Sequence, residues 1–334
     1  MRKRSGVVRD ERVTLAHGGG GKAMRDLIDD VFVRHFDNPS LDTLSDQARV
    51  PLAELAALGD RLAFTTDSFV VDPLVFPGGD IGKLAVCGTI NDLAVGGARP
   101  LFLSCSVILE EGLEIGLLRT LVESMATTAS AAGVRIVTGD TKVVSRGACD
   151  KMFINTAGIG VIEPAYRLAG ESCRPGDAIL VNGVLGDHGA AILNARGDMA
   201  LSTPLESDCA ALHELVATLL AAVPGTRMLR DATRGGLATV ANEIAEAAGA
   251  GVELIEASTP IREEVKGFCE ILGLDPLYLA NEGKLVAVVP GEHADAALEA
   301  LASHPLGRES SLIGHIVDDQ PGRVVMNTVF GGRR

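Results

Sequence analysis

Short apolar segments with strand character alternate with stretches of helical period along this chain, and the alternation starts afresh after Pro164. Segment 61–66 reads as a strand. Segment 80–98 reads as a helix placing Ile81, Leu84, Ala85, Leu93 and Ala94 at helical spacing, although Gly82 and Gly88 weaken the pattern. A strand at 101–109, a helix at 113–132 ended by Gly133, and strands at 134–138 and 152–162 complete the first half. Beyond Pro164, strands at 178–184, 251–255, 284–289 and 311–317 enclose helices near 187–195, 205–222, 234–248, 261–272 and 292–302. Such alternation predicts an α/β (α+β) chain of two domains, 13–165 and 166–322. The charged stretch 1–12 reads as a disordered tail, and 323–334 as the start of a C-terminal tail. Whether the helices cover one sheet face or both stays open.

With 47% apolar and 22% charged residues in 334, the chain has ample material for packed cores. Its formal charge of −14 disfavours nucleic acid and anionic membranes as partners. An anionic ligand therefore needs local cations, helix N-termini or metal. Gly and charged residues interrupt every apolar run before the roughly 18 residues of a membrane helix are reached. The six cysteines stand singly without a CxxC pair, which predicts reduced thiols and a cytoplasmic location.

Three groups of motifs carry chemistry. His17 precedes Gly18, Gly19, Gly20, Gly21 and Lys22, and a helical pattern over 23–36 follows. Consecutive backbone amides and a cation at a helix start suit phosphate oxygens, although the spacing is not that of a Walker loop. The second group is acidic: Asp67 in Thr-Thr-Asp-Ser, Asp92 beside Asn91, and Asp140 in the run Thr138, Gly139, Asp140, Thr141, Lys142. Asp67 and Asp140 sit where apolar strands end, and Asp92 interrupts an apolar helix. Burial penalises such carboxylates unless a partner or metal compensates, and Mg²⁺ takes a few hard oxygens together with phosphate oxygens. The third group comprises Gly186-Asp187-His188-Gly189, Asp231-Ala232-Thr233-Arg234-Gly235-Gly236 and Asn281-Glu282-Gly283-Lys284. Asp187 reads equally as a helix cap. Asp231 and Arg234, ahead of a Gly-Gly helix start, combine groups for metal and phosphate. His17 and His188 read as structural polar contacts.

Together these motifs resemble the HypE family of hydrogenase maturation factors. That family belongs to the PurM-like superfamily, with aminoimidazole ribonucleotide synthetase, selenophosphate synthetase and thiamine monophosphate kinase. The resemblance runs from about Val13 onward. It rests on TTDSFVVDPLVFPGGDIGKLAVCGTINDLAVGGARP at 65–100 and on TGDTKVV, GDHG, DATRGG and ANEGK. It implies a two-domain PurM-like fold whose N-terminal domain dimerises through its sheet and lines an ATP cleft. Asp67, Asp92 and Asp140 match positions gathering Mg²⁺ and phosphates. Further implied is an ATP-dependent carbamoyl dehydratase that converts a C-terminal S-carboxamide into a thiocyanate for the cyanide ligand of [NiFe] hydrogenase. HypF, a carbamoyltransferase, and an iron-carrying HypC–HypD complex are the implied partners.

On this reading Glu282 serves as the base and Lys142 polarises the carboxamide, with structural salt bridging as the alternative for each. The resemblance also implies a terminal Pro-Arg-Ile-Cys, whereas this sequence closes on Val329-Phe330-Gly331-Gly332-Arg333-Arg334 and its last cysteine is Cys269. The chain is therefore expected to have lost its tail and to bind ATP without accepting a carbamoyl group. A selenophosphate-synthetase-like enzyme and a non-catalytic maturation scaffold are the competing readings.

Overall fold

A computed structural model describes residues 6–41, 44–197 and 205–334. The chain divides into two compact units. The first takes Met1–Val75, Gly79–Ile90 and Pro100–Val161, and the second takes Phe76–Gly78, Asn91–Arg99 and Ile162–Arg334.

The N-terminal part runs α1 (Lys22–Leu27), α2 (Leu52–Ala56), β1 (Arg61–Phe69), β2 (Val75–Phe76), β3 (Gly79–Asp80), α3 (Ile81–Val95), β4 (Ala98–Glu110), α4 (Ile115–Ala131), β5 (Arg135–Val144) and β6 (Met152–Ile162). A four-stranded sheet has the order β1-β6-β4-β5, so β1 and β5 are its edges. Strands β4 and β5 pair in parallel. Residues Met152, Ile154 and Thr156 of β6 are buried, while Phe153, Asn155 and Ala157 are half-buried, as expected of a sheet with one covered face. Helix α4 buries Leu118, Leu121, Val122, Met125 and Ala129, the i, i+3, i+4, i+7 and i+11 stripe of an amphipathic helix. It stops in a Schellman motif: Gly133 at φ +66° donates its N–H to Ser130, and Val134 donates to Ala129 at 2.9 Å. The two glycines that weaken the α3 pattern serve close packing. A Cβ on Gly82 would lie 2.3 Å from the Leu121 carbonyl oxygen, and one on Gly88 would lie 2.7 Å from the Phe69 ring.

The second unit adds β7 (Ala178–Val181), α5 (Asp187–Ala195), α6 (His213–Ala222), β8 (Met228–Asp231), α7 (Gly236–Ala248), β9 (Gly251–Ile255), α8 (Glu263–Leu272), β10 (Leu285–Val289), α9 (Ala294–Ser303), β11 (Ser311–Val317) and β12 (Val324–Asn327). Its six strands lie in the order β12-β9-β11-β7-β10-β8, antiparallel except for the β12–β9 pair. Helices cover both faces of this sheet. Ile179, Val181, Val286 and Val288 pack with Val240 and Ile244 of α7. Their neighbours Ala178, Leu180, Leu285, Ala287 and Val289 pack with α6 and α9 on the other side. Strands buried on both faces read as unbroken apolar runs, which is why β7 and β10 were legible.

Four segments differ from expectation. Helix 205–222 begins only at His213. Residues 198–204 lie outside the described part. Strand β8 lies where the sequence pattern assigned no element. Within 1–12, Met1–Ser5 lie outside the described residues, but Val8 is buried with its N–H on Asp30 at 2.9 Å, and Arg12 pairs with Glu114 at 2.9 Å. The expected C-terminal tail is ordered: β12 joins the sheet edge, and Arg334 folds back to exchange backbone hydrogen bonds with Met326. Backbone pairing supplies order there where side-chain periodicity gives no signal.

Because Leu180 is wholly buried between β7 and its covering helices, Leu180→Ala is expected to cost the second unit about 3 kcal/mol, read by chemical denaturation.

Candidate active site

In the first unit the glycine loop lies against the strand that carries Asp140. Residues Leu15–Gly18 form a 3-10 turn, and buried His17 accepts the Thr14 N–H on Nδ1 at 2.9 Å while Nε2 lies 3.3 Å from Asp10. A Cβ on Gly18 would lie 2.9 Å from the Val143 side chain, so that residue must be small for the loop to reach β5. Gly20 takes φ +78°, and the space around Gly20 and Gly21 is open. Lys22, expected to face phosphate, instead pairs with Asp26 one turn along its own helix. Helix α1 then widens into a π-helical turn, Ile28–Val33. Such turns carry an extra residue and recur at functional sites. Ile28, Phe32, Val33 and Ile136 line a cavity of about 120 Å³ together with Thr138, Gly139, Asp140 and Thr141. Gly139 is required there, since a Cβ would lie 2.2 Å from the Cys105 carbonyl oxygen on β4.

Asp67 and Asp140, the two aspartates of the first unit, stand on different strands. Asp140 is solvent-open, with its side chain 55% exposed, its Oδ1 accepting the Thr141 N–H at 2.9 Å and its Oδ2 3.0 Å from the Lys142 ammonium. The expectation of a costly buried carboxylate therefore fails at Asp140. Asp67 accepts the Ser68 N–H at 2.7 Å from β1, the opposite edge of the sheet. Three strand spacings separate these edges by about 14 Å. Asp92 and Asp231 belong to the second unit. Among the described residues, no group of three or more His, Cys, Asp or Glu side chains is arranged to hold a metal ion. Position at a strand end is readable in sequence. Position across the sheet is not.

In the second unit the three polar loops are tied by side chains. Asn281 is buried; its Oδ1 accepts the Gly186 N–H at 2.7 Å, and its amide donates to the Ala232 carbonyl at 2.8 Å. One side chain thereby joins the loops of Asp187, Asp231 and Glu282. Asn91, expected to touch nucleotide, is spent internally: 1% exposed, it accepts the Leu212 N–H at 2.8 Å and donates to the carbonyls of Ala210 and Glu282. Gly236 enters α7 at φ +58°, where a Cβ would meet the Leu277 carbonyl oxygen at 2.4 Å. Arg234 beside it is exposed. Gly186, not Asp187, caps α5. Asp187 is held by Arg262 at 3.1 Å, its Oδ1 is buried without a hydrogen-bond partner, and burial raises its pKa.

Nδ1 of buried His188 lies 2.8 Å from the Ser207 hydroxyl, and its ring meets Phe76 edge-on at 5.7 Å. Burial lowers the His188 pKa, against a smaller opposing pull from Asp208. Burial likewise pushes the Cys105 thiol up to about 12 and Cys173 to about 11, so neither is a thiolate at neutral pH. The residue that sequence reasoning missed is Asp208, inside the segment read as helix. Its side chain is 4% exposed and 2.9 Å from the Lys284 ammonium.

Two domain families match this chain. The N-terminal domain of AIR synthase related proteins matches residues 46–162, and the C-terminal domain of the same group matches 174–327. Fold and loops thus define a two-domain AIR synthase related, PurM-like protein. "Carbamoyl dehydratase HypE" of Rhodobacter capsulatus is 62% identical over 98% of this chain and 96% of its own length. A crystal structure of HypE in complex with ATP superposes with a TM-score of 0.91 at 51% identity, covering 96% of each chain. A HypE–HypF complex structure superposes with a TM-score of 0.80 at 45% identity, covering 92% of this chain and 98% of that one. The chain belongs to the HypE family of carbamoyl dehydratases and is an enzyme of that family.

A histidine whose folded pKa is depressed gives stability that is present above its ordinary value, about 6.5, and lost as pH falls. The melting temperature is therefore expected to fall below pH 6.5, and His188→Gln to flatten that decline. An unchanged slope in the variant contradicts the assignment.

Proposed function

We propose that this enzyme uses ATP to dehydrate a cysteine-bound S-carboxamide to a thiocyanate, the step that makes the cyanide ligand in [NiFe] hydrogenase maturation. The observation that carries the nucleotide site is the largely apolar cavity lined by the π-helical turn together with Thr138, Gly139, Asp140 and Thr141. An apolar slot with a few polar groups suits a purine with its phosphates directed to those groups. The open backbone at Gly20 and Gly21 lies in the loop packed on the same strand. The crystallised ATP complex of a HypE supports this reading.

The donor set fits Mg²⁺ in one way. Asp67, Asp92 and Asp140 are each proposed to offer hard carboxylate oxygens to Mg²⁺; because Asp67 and Asp140 stand on opposite edges of the sheet, they would not share one ion, and phosphate oxygens would complete the coordination at each. Asp231 and Arg234 are proposed as residues for metal and phosphate within the second unit. When bound, the metal neutralises charge developing on the transferred phosphoryl group. Phosphorylation of the carboxamide oxygen turns a poor leaving group into a good one. Loss of phosphate and the amide protons then leaves R–S–C≡N, with ADP and phosphate as the other products. Glu282 takes the amide proton and Lys142 polarises the carboxamide.

A homodimer formed through the first unit's sheet is supported by Leu62 and Phe64 on β1, 60% and 69% exposed, with Ile108 of β4 at 40%. Apolar side chains on an open sheet face mark an interface. HypF is proposed as a partner because a HypE has been crystallised with it, and an iron-carrying HypC–HypD complex as the recipient. No helix among the described residues is long and apolar enough to cross a membrane, which is compatible with work in the cytoplasm.

Two variants separate binding from chemistry. Asp140→Asn is expected to weaken Mg-ATP binding at least about tenfold by calorimetry, in line with the loss of a charge-assisted contact. Glu282→Gln is expected to bind Mg-ATP normally but to remove water from an S-carbamoylcysteine peptide, followed by mass spectrometry, about 100-fold or more slowly. Full dehydration by Glu282→Gln overturns the base assignment.

A further inference from the structure

The proposed base stands on a loop whose backbone is gripped from outside. Asp208 Oδ1 accepts the N–H of Glu282 at 3.0 Å, and its Oδ2 accepts the N–H of Gly283 at 3.2 Å and the Lys284 ammonium at 2.9 Å. The Glu282–Gly283 peptide is held from its carbonyl side as well: the Glu282 carbonyl accepts the Ala210 N–H at 3.2 Å and the Asn91 amide at 3.4 Å. Gly283 allows this approach, since a Cβ there would lie 2.0 Å from the Asp208 carbonyl oxygen. The gripping segment is anchored in turn, with Ser207 N–H on the Pro77 carbonyl at 2.8 Å and Cys209 N–H on the Ser207 hydroxyl at 3.1 Å.

Both backbone flanks of Glu282 are thus fixed while its own side chain stays half-exposed. A carboxylate recruited only to neutralise Lys284 needs no contact with two consecutive backbone amides. We infer that Asp208 is a positioning residue for this enzyme: it sets the direction in which Glu282 presents its carboxylate. The inference rests on the base role proposed for Glu282. A buried carboxylate is the acceptor suited to the task, because it receives three donors at once and the nearby ammonium offsets its charge. An asparagine of equal size would set an NH₂ group against backbone N–H or ammonium donors, leaving them unsatisfied.

The test is a double-mutant cycle on ATP-dependent water loss from an S-carbamoylcysteine peptide, comparing D208N, E282Q and the double variant. D208N is expected to lower kcat about 100-fold, the cost of a misplaced catalytic group, and to leave the KM for Mg-ATP within about threefold. In the E282Q background the same change is expected to cost no more than about twofold, because the group it positions is already gone. A merely structural Asp208 would slow both backgrounds alike, and that additive result overturns the inference while leaving the base role standing. An E282Q enzyme at the wild-type rate overturns the base role and the inference with it. If D208N does not fold, D208E keeps the charge for Lys284 but displaces the loop, and the same non-additivity is expected of it.

Discussion

The loops of the second unit are joined by backbone bonds such as Asn281 N–H to the Ala232 carbonyl, and the polar side chains of Asn281, Asp208 and Asn91 pair further backbone groups among them. Buried N–H and C=O groups must be paired. Here an amide joins the Gly186, Ala232 and Glu282 segments, and a carboxylate spans the amides of 282 and 283. These contacts bring motifs far apart in sequence onto one set of loops. The sheet beneath, buried on both faces, gives them a rigid base. Glycine follows from the same closeness: at Gly236 and Gly283 a Cβ would strike backbone carbonyl oxygens.

The first unit uses a different constraint. Its sheet is covered by helices on one face, and the strand bearing Asp140 approaches β4 so closely that Gly139 admits no side chain. The π-helical turn lines the apolar slot together with the Thr138–Thr141 run of that strand. On the proposed reading the nucleotide brings phosphate oxygens of its own, so Asp67 and Asp140 need not meet on one ion.

Much of this was legible in the sequence. Strands Met152–Ile162, Gly251–Ile255 and Ser311–Val317 coincide with the apolar runs that announced them, because burial pattern and strand period agree there. Strand β8 was not legible: Met228–Asp231 is short, ends in Arg230 and Asp231, and lies at a sheet edge. Segment 205–212 has the composition of a helix start. Its backbone instead lies along the Glu282 loop, whose donors are 74 residues away from Asp208, so no local signal pointed to it. The separation of Asp67 from Asp140 was not legible for a related reason: strand ends are visible in sequence, but the order β1-β6-β4-β5 is a tertiary fact.

The central claim is that nucleotide binds in the first unit, in the slot that Asp140 helps to line. Photolabelling with 8-azido-ATP and peptide mapping tests it most directly. Label in peptides containing Met24–Phe36 or Ile136–Thr141, competed away by unlabelled Mg-ATP, is the expected result. Competable label confined to peptides of the second unit would contradict it.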